Sequence, residues 1–459
     1  MILGIVLAAL LAAYAAGWLW FAAREGSPAS FTPADLAAPV GTALPEGFLW
    51  GTATAAYQVE GGSEGEDWWA FEQEPGRIAR GERSGRAADA WNRVAEDVEL
   101  MRRLGANAYR FSIGWSRVEP AAGRFDGAAW EHYADEAQRL RGAGIEPLVT
   151  LHHFTVPRWL AGGVLDPGFP AGLARLAREA ARRLGGDVRL FCTINEPNVL
   201  MFKSFVEGSW PPAERDPERA VAALANLLRA HAFAAAALRE VLPEARVGVA
   251  NHLRVFDPAR RSNLLDWVAA RATALAFNWA FYDSIAAGRL RFTVPGFPKL
   301  DEPFAELKGS ADWFGLNYYT RDLVRFAPGA PGNIERVVGP GPKTDLGWEI
   351  YPEGLLRLLR AAHARYRLPI HVTENGIADA RGTLRPTYLR AHAHALAEAA
   401  REGVPVLGYF HWSLLDNFEW EQGFEPRFGL YRVDPKTFER SPASGADVFA
   451  ALAAERREP

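Results

Sequence analysis

Eight short apolar runs, each typical of a buried β-strand, recur along the chain with helical stretches between them, and this alternation constrains the fold most. The runs lie at 48–54, 108–113, 145–152, 190–194, 247–251, 313–318, 370–373 and 406–412. Helical periodicity marks 87–104, 129–143, 171–184, 220–241, 354–366 and 390–402. This order predicts one α/β domain, a single (β/α)8 TIM barrel. A doubly wound open sheet is the alternative, but no glycine-rich phosphate loop follows the first run.

The first 23 residues carry no charged side chain and form an apolar segment long enough to span a bilayer as a helix. Trp18, Trp20 and Phe21 lie near its end, where interfacial aromatic residues are found. We therefore predict an N-terminal hydrophobic helix over 1–24 as a membrane anchor, with 1–23 associated with the membrane.

Two other interpretations of this segment stay open. It could be a cleaved signal peptide, although a basic first region and a small-residue cleavage site are missing. It could also be an alanine-rich extension. Arg24 is the nearest basic residue, and it favours a barrel on the cytoplasmic side. Without a retained anchor the protein would be cytoplasmic or secreted. Residues 25–45, rich in Ala, Pro, Ser and Thr, are predicted to form a linker, and 46–459 the barrel.

Composition and charge exclude several classes of protein. A formal charge of −4 and a pI near 6.3, without a basic tract, argue against nucleic-acid binding. Cys192 is the only cysteine, so no intrachain disulfide can form, and no Cys/His cluster predicts a zinc site. We expect neither a metal nor a cofactor, and nothing in the sequence indicates an oligomeric state.

Polar side chains gather where the predicted strands end, which is where a (β/α)8 barrel has its active site. The seventh run ends in Glu374, followed by Asn375 and Gly376, and the fourth ends in Asn195 and Glu196. The other ends carry Gln58, Arg110, His152, His153, Asn251, Asn317, Tyr318, Tyr319, Trp412, Glu419 and Trp420. So many polar groups at one end of the barrel indicate a functional site.

Glu196 and Glu374 would present two carboxyl groups at the same barrel mouth. Two carboxyl groups across a sugar-sized pocket are the minimum for cleaving a glycosidic bond, one donating a proton to the leaving oxygen and one meeting the anomeric carbon. A separation of about 5 to 5.5 Å would predict a retaining mechanism, and about 6.5 to 9.5 Å an inverting one. A catalytically inactive sugar-binding module is the alternative, but a decayed site has no reason to keep both acids.

The neighbours of the two acids predict different roles for them. Arg110 and the Tyr319 hydroxyl should keep Glu374 ionised, because a cation and hydrogen bonds to the charged form lower a carboxyl pKa. Glu374 is therefore the predicted nucleophile. Glu196 has apolar neighbours in the sequence and no obvious cation, so it is the predicted general acid, which later acts as a base toward water.

Six motifs follow one another in the chain: FLWGTATAAYQVEG at 48–61, RFSIGWSR at 110–117, TINEP at 193–197, NYYT at 317–320, VTENG at 372–376 and WSLLDNFEW at 412–420. Together they resemble glycoside hydrolase family 1, over nearly everything from residue 48 to about residue 449. The resemblance implies a retaining, exo-acting β-glycosidase in a (β/α)8 barrel. We expect β-glucosides as the main substrates, with β-galactosides and β-fucosides also accepted.

The same resemblance assigns roles to individual residues. It puts the acid/base on Glu196 and the nucleophile on Glu374, with Arg110 and Tyr319 in contact with the nucleophile. The sugar-binding groups would be Gln58, His153, Asn195, Asn317, Trp412, Glu419, Trp420 and Phe428. Glu419 would repel a phosphate, so an unphosphorylated sugar is expected.

The sequence departs from the family pattern in two places. Phe154 follows the third-strand histidine, where many members have Trp. The hydrophobic N-terminal segment is similar to that of a membrane-anchored branch, the galactolipid-remodelling galactosyltransferases of plant chloroplast envelopes, and 207–211, 350–354 and 403–408 are similar as well. In this alternative the protein is a membrane-tethered transglycosylase acting on a glycolipid, and a lipid-borne hydroxyl replaces water.

Overall fold

A closed barrel of eight parallel strands forms the centre of the computed structural model, which describes residues 12–21 and 31–455. The strands are β1 (Leu49–Ala53), β2 (Ala108–Ser112), β3 (Glu146–His152), β4 (Leu190–Asn195), β5 (Arg246–Pro258), β6 (Trp313–Phe326), β7 (Ile370–Asn375) and β8 (Val406–Trp412). Each strand pairs in parallel with the next, and β8 pairs with β1 and closes the barrel. The predicted (β/α)8 barrel is confirmed, and the open sheet is excluded.

Helices follow the strands around the outside of the barrel. The main ones are α1 (Val94–Arg103), α2 (Gly127–Gly142), α3 (Phe169–Leu184), α4 (Pro217–Val241), α5 (Ala280–Ala287), α6 (Glu353–Tyr366), α7 (Arg385–Arg401) and α8 (Ala446–Ala454). Further helices are Pro33–Ala37, Ala56–Val59, Asp67–Glu72, Trp115–Val118, Pro197–Phe205 and Leu264–Ala274. Their amphipathic sequences explain their position: in α3, Leu173 and Leu176 are fully buried, whereas Arg182 and Arg183 face solvent.

Two of the strands continue beyond the barrel and form a wall above its carboxyl-terminal end. β5 and β6 stay paired in parallel as far as Pro258 and Val324. The short strand Ile334–Val337 then pairs antiparallel with the end of β6. Two further hairpins, Arg289–Phe292 with Leu300–Pro303 and Tyr431–Val433 with Arg440–Pro442, lie outside the barrel sheet.

The described part of the predicted linker is packed against the barrel domain. Val40 and Leu44 are buried, each with 3% of its surface exposed. The backbone N–H of Val40 donates to Oε2 of Glu455 at 2.7 Å, beyond the end of α8. Phe31 lies edge-on to the ring of His394 in α7, with 4.8 Å between ring centroids.

Residues 12–21 form a helix that contacts the helix Leu264–Ala274. The indole N–H of Trp18 donates to the carbonyl of Arg261 at 2.6 Å, and Phe21 stacks on Trp267 with 5.8 Å between centroids. Residues 1–11 and 22–24, the rest of the predicted anchor, lie outside the described residues. Within the described part of the chain, one helix is long and apolar enough to cross a membrane, α4, and 72% of its apolar window is buried inside the protein. That burial is typical of a core helix.

Candidate active site

A cavity of about 510 Å³ opens at the carboxyl-terminal end of the barrel strands. This size suits a small-molecule ligand, and the position is the usual one for an active site in this fold. Nine of the twelve predicted site residues line it: Gln58, His153, Glu196, Tyr319, Glu374, Trp412, Glu419, Trp420 and Phe428. The other three, Arg110, Asn195 and Asn317, are buried and hydrogen-bond to one or both of the glutamates or to each other.

Glu374 lies at the end of β7, where the register with β6 shifts between Val372 and Glu374. Nη1 of Arg110 donates to its Oε1 at 2.6 Å, and the hydroxyl of Tyr319 donates to its Oε2 at 2.7 Å. Both contacts predicted from the sequence are therefore present, and each oxygen of this carboxyl group has a donor. The arrangement orients the carboxylate and stabilises its charged form.

Glu196 follows directly after β4 and has left-handed backbone angles, φ 44° and ψ 55°. Such angles are uncommon for residues other than glycine and occur often at functional sites. Pro197 then begins the helix Pro197–Phe205, because its fixed φ suits a first helical position. Nδ1 of His252 and Nδ2 of Asn317 both lie 2.9 Å from Oε1 of Glu196. Among the described residues, no donor is recorded for its Oε2.

A chain of hydrogen bonds connects the two glutamates below the cavity. Nη2 of Arg110 donates to Oδ1 of Asn195 at 2.6 Å, and Nδ2 of Asn317 donates to the same oxygen at 3.2 Å. Asn317 also reaches Glu196, and Arg110 reaches Glu374. Five strand ends therefore hold both carboxyl groups in one rigid network, since Thr150 of β3 accepts from Nε of Arg110 as well.

The two carboxyl groups titrate as a pair. Burial raises the pKa of Glu374 to about 7, and the charge of Glu196 adds to this rise, although Arg110 and Tyr319 act in the opposite direction. Burial acts on Glu196 too, but its contacts with His252 and Asn317 and the charge of Arg110 lower its pKa. Burial of Glu374 thus opposes the effect of its two donors, which the sequence alone did not indicate. Together the pair keeps one proton up to about neutral pH.

Gln58 and His153 each direct an unused polar atom into the buried part of the site. Nε2 of Gln58 donates to Oδ1 of Asn417 at 2.8 Å, while Oε1 of Gln58 has no partner among the described residues. Nδ2 of Asn195 donates to Nε2 of His153 at 3.0 Å, which leaves the proton of the neutral ring on Nδ1, also without a described partner. Burial, with the charge of Arg110, keeps the pKa of His153 well below its usual range. One acceptor and one donor are thus available to a ligand.

Aromatic rings surround these polar groups. His153 stacks between Trp412 and Trp420, at centroid distances of 5.9 and 6.3 Å. Oε1 of Glu419 accepts from the indole N–H of Trp412 at 3.0 Å, and burial raises the pKa of Glu419 to about 8. Phe154, where many family members have Trp, is buried edge-on to Trp420 at 5.2 Å.

Phe428 is buried edge-on to Tyr319, with 6.2 Å between ring centroids, and lines the cavity as predicted. The structure thus brings the predicted site residues together in and around one cavity.

His152 and Asn251, two further polar strand ends, do not line this cavity. Cys192 is fully buried and free. No group of three or more His, Cys, Asp or Glu side chains that could hold a metal ion occurs in the part of the chain that the structure describes.

Several cavity residues were not predicted. His252 and Arg254 lie on the part of β5 beyond the predicted strand, and Trp348 lies in the loop before α6. Lys203 lies between Glu207 and Glu421, with nitrogen to oxygen distances of 3.2 and 3.1 Å. His252 and Arg254 alternate with apolar neighbours in the sequence. This alternation was the signal that could have located these two residues.

Comparison with known proteins agrees with this geometry. The model of "Glycosyl hydrolase family 1" matches residues 40–458. The chain belongs to glycosyl hydrolase family 1. It is a glycoside hydrolase with the barrel, the strand-end glutamates and the aromatic cavity described above.

Named relatives of this family 1 enzyme cover most of its length. Beta-glucosidase A of Thermotoga maritima is 37% identical, over 86% of this chain and 94% of the relative. Beta-galactosidase of Pyrococcus woesei is 31% identical, over 87% and 94%. The solved family 1 β-glucosidase from Thermotoga maritima has a TM-score of 0.84 at 33% identity and covers 91% of this chain and 99% of its own. Structures of the Thermotoga maritima β-glucosidase also exist with glucoimidazole and with galacto-hydroximolactam.

Proposed function

We propose that this enzyme hydrolyses unphosphorylated β-glycosides from their non-reducing end with retention of anomeric configuration. β-Glucosides are the main substrates, and β-galactosides and β-fucosides are accepted. The observation that carries the proposal is the pair of strand-end glutamates in one cavity. Glu374 has a donor on each oxygen, one of them a permanent cation, whereas both donors to Glu196 reach a single oxygen.

In the first step, the Glu374 carboxylate bonds to the anomeric carbon while the bond from that carbon to the leaving oxygen breaks. Glu196 transfers its proton to the leaving oxygen, which departs as an alcohol. In the second step, Glu196 accepts a proton from water, and the water oxygen bonds to the anomeric carbon as the ester to Glu374 breaks. Each step inverts the anomeric carbon, so the overall result is retention.

The shared proton of the pair resides on Glu196 in this mechanism. The separate effects of burial and charge would favour Glu374. However, a proton on Glu374 would have to compete with Arg110 and Tyr319, which already donate to both of its oxygens at 2.6 and 2.7 Å. Oε2 of Glu196 has no such competition from the described residues, so the contacts favour Glu196 as the proton carrier.

Sugar selection follows from the unused polar atoms. Oε1 of Gln58, Nδ1 of His153 and the carboxyl group of Glu419 can bond to vicinal hydroxyls, and a sugar lacking one of these hydroxyls would leave a buried group unpaired. Trp412 supplies a ring for the sugar's C–H face. A phosphate would meet Glu419, while the nearby cation Lys203 already lies between two carboxylates. Phosphorylated sugars are therefore disfavoured.

Labelling with a 2-deoxy-2-fluoro-β-glucosyl fluoride tests the proposal most directly. The electronegative fluorine slows hydrolysis of the glycosyl ester, so the ester should accumulate and be found on Glu374 by mass spectrometry. The variant Glu374→Gln should stay unlabelled under the same conditions. A label on another residue, or release of the sugar with inverted configuration, would contradict the mechanism.

We propose that the glycosyl ester is hydrolysed and not transferred to a lipid, because the named relatives are glucosidases and a galactosidase. Incubation of the enzyme with a β-glucoside and glycolipid vesicles in water distinguishes the two fates. Free glucose should account for nearly all of the sugar released. Glycosylated lipid as the main product would instead support the transglycosylase.

Association with a membrane through residues 1–23 is a separate part of the proposal. The helices 12–21 and Leu264–Ala274 contact each other, and both expose large apolar side chains, among them Leu19, Trp20, Leu265 and Val268. Such side chains would be stabilised at a lipid surface. The full chain should resist alkaline carbonate extraction of membranes, whereas a variant lacking residues 1–30 should be extracted. Extraction of both proteins would refute the anchor.

A further inference from the structure

His252 is a buried histidine at the mouth of the barrel whose ring contacts Glu196 and packs against two aromatic rings. Only 4% of its surface is exposed. Its ring stacks on Tyr319 with 5.7 Å between centroids, and Phe277 lies edge-on to it at the same distance. The ring therefore has little freedom to turn away from Glu196.

The backbone of His252 is tied to the segment that carries Glu196. Nδ2 of Asn198 donates to the carbonyl of His252 at 2.7 Å, and Oδ1 of Asn198 accepts from its N–H at 3.3 Å. Asn198 comes two residues after Glu196, in the first turn of the helix Pro197–Phe205. Glu196 and His252 thus keep their relative position through two backbone hydrogen bonds as well as through their own contact.

Arg254 determines which ring nitrogen of His252 carries the proton. Nε of Arg254 can only donate, and it lies 3.1 Å from Nε2 of His252, so Nε2 is an acceptor. The hydrogen-bond partners therefore assign the neutral ring, with its proton on Nδ1, which donates to Oε1 of Glu196 at 2.9 Å. Asp322 holds Arg254 in place, with Nη1 to Oδ2 at 3.0 Å.

We propose that His252 is a positioning residue for the reaction: with its tautomer fixed by Arg254, it occupies Oε1 of Glu196 as a donor, so that Oε2 carries the proton transferred to and from the substrate. Asn317 donates to the same Oε1 at 2.9 Å, so two fixed N–H groups oppose a proton on that oxygen. The inference rests on the proposed acid/base role of Glu196.

The effect on pH dependence has a definite sign. The other charged groups that act on Glu196 are Arg110 on β2 and Glu374 on β7, and neither contacts His252. The Nδ1–H bond stabilises the carboxylate more than the carboxylic acid, so it lowers the pKa of Glu196. Loss of this donor raises that pKa, which keeps the general acid protonated to higher pH.

Three substitutions separate the effect of hydrogen-bond donation from the effect of packing. Leucine in His252→Leu has no donor, whereas asparagine in His252→Asn keeps an N–H close to the position of Nδ1. Both variants lose the contact with Arg254, and Phe277→Leu disturbs the packing of the ring while leaving its hydrogen bonds. The pH profile of kcat/KM is measured for the full chain and each variant with 4-nitrophenyl β-glucoside.

The basic limb of the profile, which reports the acid in the free enzyme, should move to higher pH by about one unit in His252→Leu. It should stay near the parent position in His252→Asn and in Phe277→Leu. An unmoved limb in His252→Leu, or the same shift in all three variants, would overturn the inference. A further variant, Glu196→Ala, tests the acid/base role on which this inference rests. If it slows all substrates equally, the proposed acid/base role itself fails.

Discussion

At the scale of single residues, Glu196 is required only where a proton has to move. Glu196→Ala should slow hydrolysis of alkyl β-glucosides by about 10²- to 10⁴-fold, because a poor leaving group must be protonated as it departs. Substrates with dinitrophenyl leaving groups need no proton and should form the glycosyl ester at nearly the parent rate. Pre-steady-state and steady-state kinetics with a series of leaving groups measure this difference.

Azide provides the matching control for the second step, since it attacks the ester without the help of a base. It should accelerate turnover of the dinitrophenyl substrate by Glu196→Ala and give the β-glycosyl azide, while the parent enzyme should be unaffected. An equal loss of rate for all leaving groups, without azide rescue, would count against the acid/base role.

Tyr319 acts on the other carboxyl group. Its hydroxyl donates to Oε2 of Glu374 and lowers the pKa of that group, against the larger effect of burial. Tyr319→Phe should therefore raise the pKa of Glu374, so the acidic limb of the kcat/KM profile should move to higher pH. Tyr318→Phe is the matched control, because the Tyr318 hydroxyl donates to the carbonyl of Tyr351. Equal shifts in the two variants would show that the contact with Glu374 is not the cause.

At the scale of structural elements, the wall formed by β5 and β6 lines the cavity together with the loop before α6. Because His252 on this wall contacts Glu196, which we propose protonates the leaving oxygen, we expect the leaving group to lie on this side. Trp348 in that loop lies 5.7 Å from the ring of Tyr319 and 5.8 Å from the guanidinium of Arg254, measured from ring centroids. An aromatic side chain in this place offers a large apolar surface to an aryl or sugar aglycone.

Trp348→Ala should lower kcat/KM for aryl glucosides and disaccharides by about tenfold, the effect of losing about 1.4 kcal/mol of contact. β-Glucosyl fluoride, whose leaving group is one atom, should be hydrolysed at close to the parent rate and serves as the control. Competition assays between the two substrate types measure the ratio directly. A parallel loss for the fluoride would indicate damage to the sugar site instead.

At the scale of the whole molecule, sequence periodicity and the geometry of the barrel were enough to predict the site's centre. Apolar runs identified the eight strands, and their polar ends identified Glu196 and Glu374. The wall was missed because β5 and β6 were predicted to end at residues 251 and 318. Beyond those points polar residues interrupt the apolar run in each segment, so the run stops although the strand continues.

The same reason explains why His252 and Arg254 were missed: they alternate with the apolar residues Leu253 and Val255, and the sequence does not show that His252 is itself buried. The raised pKa of Glu374 also could not be predicted, because it depends on burial, which the sequence does not give. Val40 and Leu44, isolated large apolar residues in a stretch rich in alanine, proline and glycine, gave no periodic signal for their packing. Helix and strand patterns thus predict positions well, while burial and strand extensions depend on tertiary contacts.

Buried titratable groups should make the stability of the whole molecule depend on pH in both directions. Burial lowers the pKa of five histidines to about 3 or 4, below the ordinary value of 6.5, and the histidines are His152, His231, His371, His392 and His411. Burial raises the pKa of four carboxyl groups to about 7 or 8, and these are Glu60, Asp67, Glu374 and Glu419. The two sets change stability with pH in opposite directions.

The sign follows from which state binds more protons. Below pH 6.5 the unfolded chain protonates its histidines and the folded chain does not, so the histidines make stability rise with pH. Above about pH 4.5 the folded chain retains carboxyl protons that the unfolded chain has released, so the carboxyl groups make stability fall with pH. As the pH increases, the free energy of unfolding should therefore rise up to about pH 4.5, change little between about 4.5 and 6.5, and fall between 6.5 and 8.

Urea denaturation between pH 4 and 8, followed by tryptophan fluorescence, measures this dependence. Glu60→Gln removes a carboxyl group whose pKa is raised to about 7 in the folded state only. It should therefore reduce the fall in the free energy of unfolding above pH 6.5. Glu218→Gln, on the exposed first turn of α4, should leave the slope unchanged, because that side chain faces solvent. If both variants kept the parent slope, burial of Glu60 would not be a source of the loss, and the decline would have to come from Asp67, Glu374 and Glu419.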